Sequence, residues 1–193
     1  MLQCCDVEGG PELIDECRTF VKLEGKLLPG QVYVSKPGRL PCKAVIHAVG
    51  PMWRGGKKDE ENQLYAAVSQ SLEEATQRGF HTIAIPAISA GIFGFPPDRA
   101  TEIILSASRD YLTDMNGTCL KEIHIVDRDH KVISLFEMSL KSMTLPSEPG
   151  PEEGHSEPTG RRVRTQRNSE LTGNAAGELV YSSGLSPELK YCL

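Results

Sequence analysis

Hydrophobic residues recur at two different spacings along the first 145 residues of the chain. Apolar positions three or four residues apart predict amphipathic helices, and short apolar or alternating runs predict strands. The spacings predict helices over 11–24, 61–78, 97–112 and 129–143, and strands over 31–35, 44–49, 81–86 and 120–126. The resulting order, αββαβαβα, predicts an α/β domain with helices on both faces of a mixed sheet that is largely parallel in its second half.

Residues that favour helix ends fall at several of these bounds. Pro11 suits a first helical turn. Gly25 and Gly79 each come directly after a predicted helix, where glycine favours a helix end. Asp129 has a side chain that suits an N-cap. The predicted bounds therefore rest on capping chemistry as well as on periodicity.

The composition changes at residue 146. The segment 146–193 contains 5 Pro, 6 Gly and 6 Ser and no Phe, Trp, Ile or Met. Such a segment buries too little apolar surface to offset its ordering entropy, so it is predicted to be a disordered tail or linker. The arginines at 161, 162, 164 and 167 would serve there as a localisation or phosphate-binding patch, or, as we favour, as part of a solvated linker.

Charge and cysteine usage narrow the class of protein. The net charge of −5 argues against direct nucleic-acid binding through a strongly basic surface. None of the six cysteines lies in a C-x-x-C pair, which favours neither a zinc site nor a redox motif. The sequence shows no secretory signal and no apolar run of about 20 residues, the length that spans a bilayer. We therefore expect a reduced protein of the nucleus and cytoplasm, with no membrane partner.

The connection after the third predicted strand has the composition of a ligand-binding loop. Gly91 and Gly94 allow the backbone to turn tightly, and a helix follows. Free N–H groups beside a helix N-terminus can receive a phosphate or pyrophosphate. No lysine follows, so the loop is not a Walker A motif, and Phe93 and Phe95 suggest an aromatic face for a ribose-like group. A tight strand-to-helix turn without a ligand explains the spacing equally well.

Two motifs together resemble a known family. Residues 86–96 (PAISAGIFGFP), preceded by residues 46–51 (IHAVGP), resemble the macrodomain, an ADP-ribose-binding module. The similarity runs from about Gly10 to Met143 and is strongest to macrodomains of the multi-macrodomain poly(ADP-ribose) polymerase family. It implies a three-layer α/β/α fold with a mixed sheet.

The resemblance also implies which residues bind ADP-ribose. The phosphate-binding groups would be the backbone N–H groups of Ser89, Ala90, Gly91, Ile92 and Phe93. The ring of Phe93 would pack on the distal ribose. Asp127 and Arg128, which follow the last strand, would lie near the adenine. The full implied binding set is Ser89, Ala90, Gly91, Ile92, Phe93, Gly94, Asp127 and Arg128.

The chain departs from the family pattern at its beginning. Residues 1–8 match nothing in the family, and the first strands, the adenine aspartate and the asparagine-rich loop are missing. We therefore divide the chain into a divergent start (1–8), a partial, N-terminally truncated macrodomain (9–145) and the tail (146–193). The loss implies weakened ligand binding and an exposed sheet edge.

The expected function is a binding module for ADP-ribose or mono-ADP-ribosylated proteins. No catalytic residue, metal ligand or cofactor is expected, and the transferase domain of the parent family is absent from this chain. The family further implies roles in transcription regulation and innate immunity. Two alternatives are an ADP-ribosyl hydrolase and a non-enzymatic interaction fragment of a polymerase.

Several other residues have plain structural interpretations. His47 is expected to be a satisfied histidine of a strand, because no nucleophile or carboxylate partner lies at a meaningful spacing from it. His81 and His124, at or in strands, are expected to be the same. Trp53 is expected to anchor a surface loop or to contribute to an interaction site. Glu60 is expected on a solvated helix face.

Overall fold

The computed structural model describes residues 8–114, 118–144, 163–165 and 178–181. Over residues 10–144, the predicted order αββαβαβα is confirmed, and each of the eight predicted elements lies within two residues of its predicted bounds. The elements in chain order are α1 (Gly10–Glu24), β1 (Val32–Ser35), β2 (Val45–Ala48), α2 (Glu60–Gln77), β3 (Thr82–Pro86), α3 (Pro97–Asp114), β4 (Glu122–Val126), α4 (His130–Thr144), β5 (Val163–Thr165) and β6 (Glu178–Tyr181).

The expected helix ends are present. Helix α1 has Pro11 in its first turn and ends at Gly25, which has φ 89° and donates its N–H to the carbonyl oxygen of Val21. The Asp129 carboxylate accepts the N–H of Lys131 at 2.8 Å and so caps α4. Local side-chain and backbone chemistry thus fixes where these helices begin and end.

The strands form two sheets instead of the single mixed sheet that the sequence predicts. Strands β1 and β2 pair antiparallel, and a second, all-parallel sheet has the order β3-β4-β6-β5. Among the described strands, β2 pairs only with β1, and β3 pairs only with β4. Helix α2 joins the two sheets by packing against β1, β2 and β3, so side-chain contacts replace a shared hydrogen-bond ladder.

Two stretches of the segment predicted as a disordered tail are strands. Strand β6 pairs parallel with β4, with Ile125 opposite Tyr181, and β5 pairs parallel with β6. The sequence Glu178–Tyr181 includes Leu, Val and Tyr, residue types that favour strands, and pairing there covers one edge of β4. The remainder of 146–193, like residues 1–7, lies outside the described residues.

Apolar side chains form a large and a small core. The large core lies among α2, α3, α4, β3 and β4, and contains Leu64, Ile104, Ile123 and Phe136. The small core lies between α1 and the β1–β2 hairpin and contains Leu13, Cys17, Leu40 and Val45. Alternate residues of β2 face the two cores, so helices cover both faces of this hairpin.

Candidate functional site

The loop after β3 is a compact turn closed by its own backbone. The N–H of Ala90 donates to the carbonyl oxygen of Ala87 at 3.2 Å, and the N–H of Gly94 donates to that of Gly91 at 2.9 Å. The N–H of Phe95 closes the loop onto the carbonyl oxygen of Ser89 at 3.1 Å. Ser89 has φ 65° and Gly94 has φ 66°, so the loop depends on two left-handed residues, one of them not a glycine.

Several backbone donors of this loop remain available to a ligand. Among the hydrogen bonds of the described residues, the N–H groups of Ser89, Gly91, Ile92 and Phe93 donate to no protein atom. The N–H group of Ala90, which was also expected to bind phosphate, instead donates to Ala87 within the loop. Ile92 is 98% exposed, and apart from the adjoining residues nothing lies within 4 Å of where a side chain on Gly91 would begin. Successive free N–H groups in such a turn attract anions, and the N-terminus of α3 follows at Pro97.

The two phenylalanines of the loop have different surroundings. Phe95 is 1% exposed and belongs to the large core, so it offers no face to a ligand. Phe93 is half-buried and remains the aromatic side chain beside the free donors. The structure thereby narrows the aromatic face expected from the sequence to Phe93.

Asp127 and Arg128 lie at the same sheet edge as the loop. Pro86 and Val126 are register partners in the parallel pair β3–β4, so the residues that follow these strands leave the sheet side by side. The Asp127 carboxylate accepts the N–H of Asp129 at 2.9 Å, and Arg128 is exposed. The structure therefore places all the residues of the implied binding set at one edge.

Trp53 braces the loop, a role that the sequence did not specify. The N–H of Trp53 donates to the carbonyl oxygen of Phe93 at 2.9 Å. Its ring lies 4.6 Å from the ring of Phe95, centroid to centroid, with a tilt of 54°. The segment after β2 is thus attached to the ligand loop through both main chain and side chain.

Gly50 marks a close approach between the same two segments. A Cβ atom placed on Gly50 would lie 2.1 Å from Ser89 Oγ and 2.5 Å from Ile88 Cγ2. The Ser89 hydroxyl is also buried without a hydrogen-bond partner, the one such side-chain atom found in the described part of the chain. An unpartnered buried hydroxyl at the third residue of the loop is an open hydrogen-bonding position.

Glu60 is buried and does not lie on a solvated helix face as the sequence predicts. It is 1% exposed, and its carboxylate accepts the N–H of Arg54 at 2.8 Å and of Lys58 at 2.6 Å. Burial by itself would raise the pKa of Glu60, but hydrogen bonds from the backbone of residues 54–60 outweigh it and lower the pKa. No sequence signal separated Glu60 from the exposed carboxylates around it, because its donors come from a loop that folds back.

The surroundings of His47 and Cys42 favour structural roles for both side chains. His47 is 8% exposed, and its Nε2 lies 2.8 Å from Ser35 Oγ and 3.4 Å from Cys17 Sγ, on the side of the small core. Burial raises the pKa of the Cys42 thiol, which disfavours the reactive thiolate. Within the described residues, no three His, Cys, Asp or Glu side chains are arranged to hold a metal ion, and no helix has the length and apolar character needed to cross a bilayer.

Comparison with curated proteins identifies similar sequences in several organisms. The sequence model of the Macro domain family matches residues 6–104. The Homo sapiens protein mono-ADP-ribosyltransferase PARP14 is 44% identical over 147 residues, which are 74% of this chain and 8% of that protein. An O-acetyl-ADP-ribose deacetylase of Citrobacter rodentium is 38% identical over 131 residues, which are 68% of this chain and 73% of the relative.

Solved structures of the same fold agree with these matches. The Oceanobacillus iheyensis macrodomain with ADP has a TM-score of 0.68 at 26% identity and aligns over 73% of this chain and 74% of its own. The Trypanosoma brucei macrodomain in complex with ADP-ribose has a TM-score of 0.59 at 27% identity, over 67% of this chain and 52% of its own. The three-layer α/β/α fold and the sequence matches lead to one conclusion: the chain belongs to the macro domain family.

Proposed function

We propose that the chain is a binding module for ADP-ribose, and that the diphosphate is held by the loop of residues 87–94. The observation that supports this proposal is the set of free N–H groups at Ser89, Gly91, Ile92 and Phe93, which lies beside the N-terminus of α3. Such a site suits a diphosphate because each oxygen can accept charge-assisted hydrogen bonds from fixed donors. The solved relatives that hold ADP and ADP-ribose support the same ligand.

ADP-ribose attached to a protein is the proposed biological form of the ligand. The loop is open to solvent at Gly91 and Ile92, so a nucleotide tethered to a large partner can reach it. A mono-ADP-ribosylated protein is therefore an expected partner, in the nucleus and cytoplasm. The family-implied roles in transcription regulation and innate immunity remain part of this proposal.

We expect the affinity of the 193-residue chain for ADP-ribose to be low. The sequence has no match to the adenine aspartate or to the distal-ribose asparagine that the resemblance implies for a full site. Each hydrogen bond to a charged group contributes about 1.5–3 kcal/mol, so the loss of several such contacts costs orders of magnitude in affinity. Tight binding by the wild-type chain would refute this part of the proposal.

Calorimetric titration with ADP-ribose tests the site directly. Gly91→Glu places a carboxylate among the phosphate donors, and no atom lies within 4 Å of the substituted position, so the fold should tolerate the change. We expect this variant to abolish the binding heat. Gln70→Glu adds the same charge on the exposed side of α2 and is the matched control, with unchanged binding. Equal binding by the wild-type protein and Gly91→Glu would exclude the loop as the site.

Hydrolysis of an ADP-ribosyl ester is the second candidate activity. It is favoured by the 38% identity to an O-acetyl-ADP-ribose deacetylase over two thirds of the chain. The test is chromatographic detection of ADP-ribose released from O-acetyl-ADP-ribose. Release that Gly91→Glu abolishes would establish the activity, and the absence of release at high protein concentration would leave binding as the function.

A further inference from the structure

We propose that Glu60 is a positioning residue for the ligand loop: its buried carboxylate folds residues 54–58 so that Trp53 holds the loop in its binding shape. This inference rests on the proposed function, because it assigns a role in the same site. Glu60 would not contact the ligand itself.

The first step is the burial of a carboxylate with backbone donors around it. A buried charge is tolerated only where hydrogen bonds replace its lost hydration. The oxygens of Glu60 receive the N–H groups of Arg54 at 2.8 Å and Lys58 at 2.6 Å. Both donors belong to the segment that leads into α2, so the charge is satisfied only when this segment wraps around it. Glu60 therefore specifies the conformation of residues 54–58.

The second step connects that segment to Trp53. Arg54, which donates to Glu60, directly follows Trp53 in the chain. Gly56 lies beside the edge of the indole ring, because a Cβ atom built on it would be 3.3 Å from Trp53 Cη2. The fold around Glu60 thus fixes Trp53 both through the peptide bond and through contact with its ring.

The third step connects Trp53 to the loop. The N–H of Trp53 donates to the carbonyl oxygen of Phe93, in the middle of the loop. The indole ring contacts the ring of Phe95, which is anchored in the large core at the end of the loop. A change in the position of Trp53 would therefore shift the position of the Phe93 carbonyl and of the free N–H groups beside it.

The sole tryptophan of the chain supplies the measurement, because Trp53 fluorescence reports only on this segment. Glu60→Gln keeps the size of the side chain but replaces one acceptor oxygen with an NH₂ group, which cannot accept an N–H. We expect a shift of the emission maximum to longer wavelength and about a tenfold loss in affinity for ADP-ribose, the equivalent of one lost hydrogen bond. Glu73→Gln, an exposed carboxylate on α2, is the control and should change neither.

A second pair of variants keeps the test independent of the buried charge. Gly55 and Gly56 both have positive φ, 82° and 73°, so alanine strains the backbone at either position. Only Gly56→Ala brings a new atom against Trp53, because nothing lies within 4 Å at Gly55. We expect Gly56→Ala to change the Trp53 emission and the affinity more than Gly55→Ala does.

The outcomes separate this inference from the proposed function. If the wild-type chain does not bind ADP-ribose, the proposed function fails, and emission together with the backbone amide NMR shifts of Ser89–Gly94 still decides the role of Glu60. Unchanged emission and unchanged amide shifts in Glu60→Gln would overturn the inference. Changed emission with unchanged affinity in a chain that binds would also overturn it. If Glu60→Gln does not fold, equal effects of Gly55→Ala and Gly56→Ala would overturn it instead.

Discussion

Replacement of Gly50 by alanine is expected to disturb the fold and the ligand loop together. Gly50 follows β2, and it lies against the first residues of the loop that follows β3. The added methyl carbon would lie 2.1 Å from Ser89 Oγ and 2.5 Å from Ile88 Cγ2, well inside van der Waals contact. Ile88 is 4% exposed and cannot move into solvent without opening the core. At least one of the two segments must therefore shift.

The size of the effect follows from overpacking of a dense interior. An extra methyl group that displaces buried neighbours costs typically about 1–3 kcal/mol of unfolding free energy. Gly91→Ala is the matched control, because no atom lies within 4 Å of the added carbon and φ is not in the left-handed region. We expect its cost to stay within about 0.5 kcal/mol.

Urea unfolding followed by circular dichroism measures both variants, with an unchanged m value as the check that the unfolded state is the same. The double variant Gly50→Ala/Ser89→Ala should recover part of the loss, because the Ser89 Oγ contact is removed while the Ile88 contact remains. Stability of Gly50→Ala equal to that of the wild-type protein would refute the close approach. A double variant as stable as the single variant Ser89→Ala would show that Ile88 is not constrained.

Three further predictions concern single side chains. Ser89→Ala should leave the unfolding free energy unchanged or raise it by about 1 kcal/mol, because a buried hydroxyl without a partner is lost; a clear loss in the same urea experiment would reveal a partner. The lowered pKa of Glu60 means that its ionised form stabilises the fold above the ordinary glutamate pKa of 4.5, and that this contribution disappears as the pH falls through the lower folded value. The difference in unfolding free energy between the wild-type protein and Glu60→Gln should therefore shrink on acidification. A difference that grows would contradict the lowered pKa of Glu60. Tyr111→Phe removes the hydroxyl that donates to Thr76 Oγ1 at 2.7 Å and should lower the melting temperature, at a cost of about 0.5–1.5 kcal/mol; an unchanged melting temperature would show that water replaces the bond.

The secondary structure of residues 10–144 could be predicted from the sequence because its causes are local. The 3.6-residue spacing of Leu64, Val68 and Leu72 defines the buried side of α2 whatever lies beyond it. Capping acts over a single turn, as Gly25 and Asp129 show. The position of the candidate site could be predicted as well, since loops that follow neighbouring parallel strands must meet at one edge of the sheet.

Contacts that form only when the chain folds decided the features that the sequence did not predict. Glu60 has the same residue type and the same helix turn as the half-buried Glu61, yet only Glu60 lies beneath a loop that supplies N–H donors. The division into two sheets depends on which strand edges meet, which is a property of assembly and not of any strand by itself. The pairing of β6 with β4 joins residues more than fifty positions apart.

The sequence alone determined the eight elements of residues 10–144, their order, and the loop that offers backbone donors to an anion, because periodicity, capping and glycine spacing act within a few residues. Only the tertiary structure decided which parts support that loop. Trp53 reaches the carbonyl of Phe93, and Glu60 orders the segment that follows Trp53. The first contact joins two separate loops, and the second requires residues 54–58 to fold back over Glu60. The strength of both contacts depends on burial, which exists only when the chain is folded.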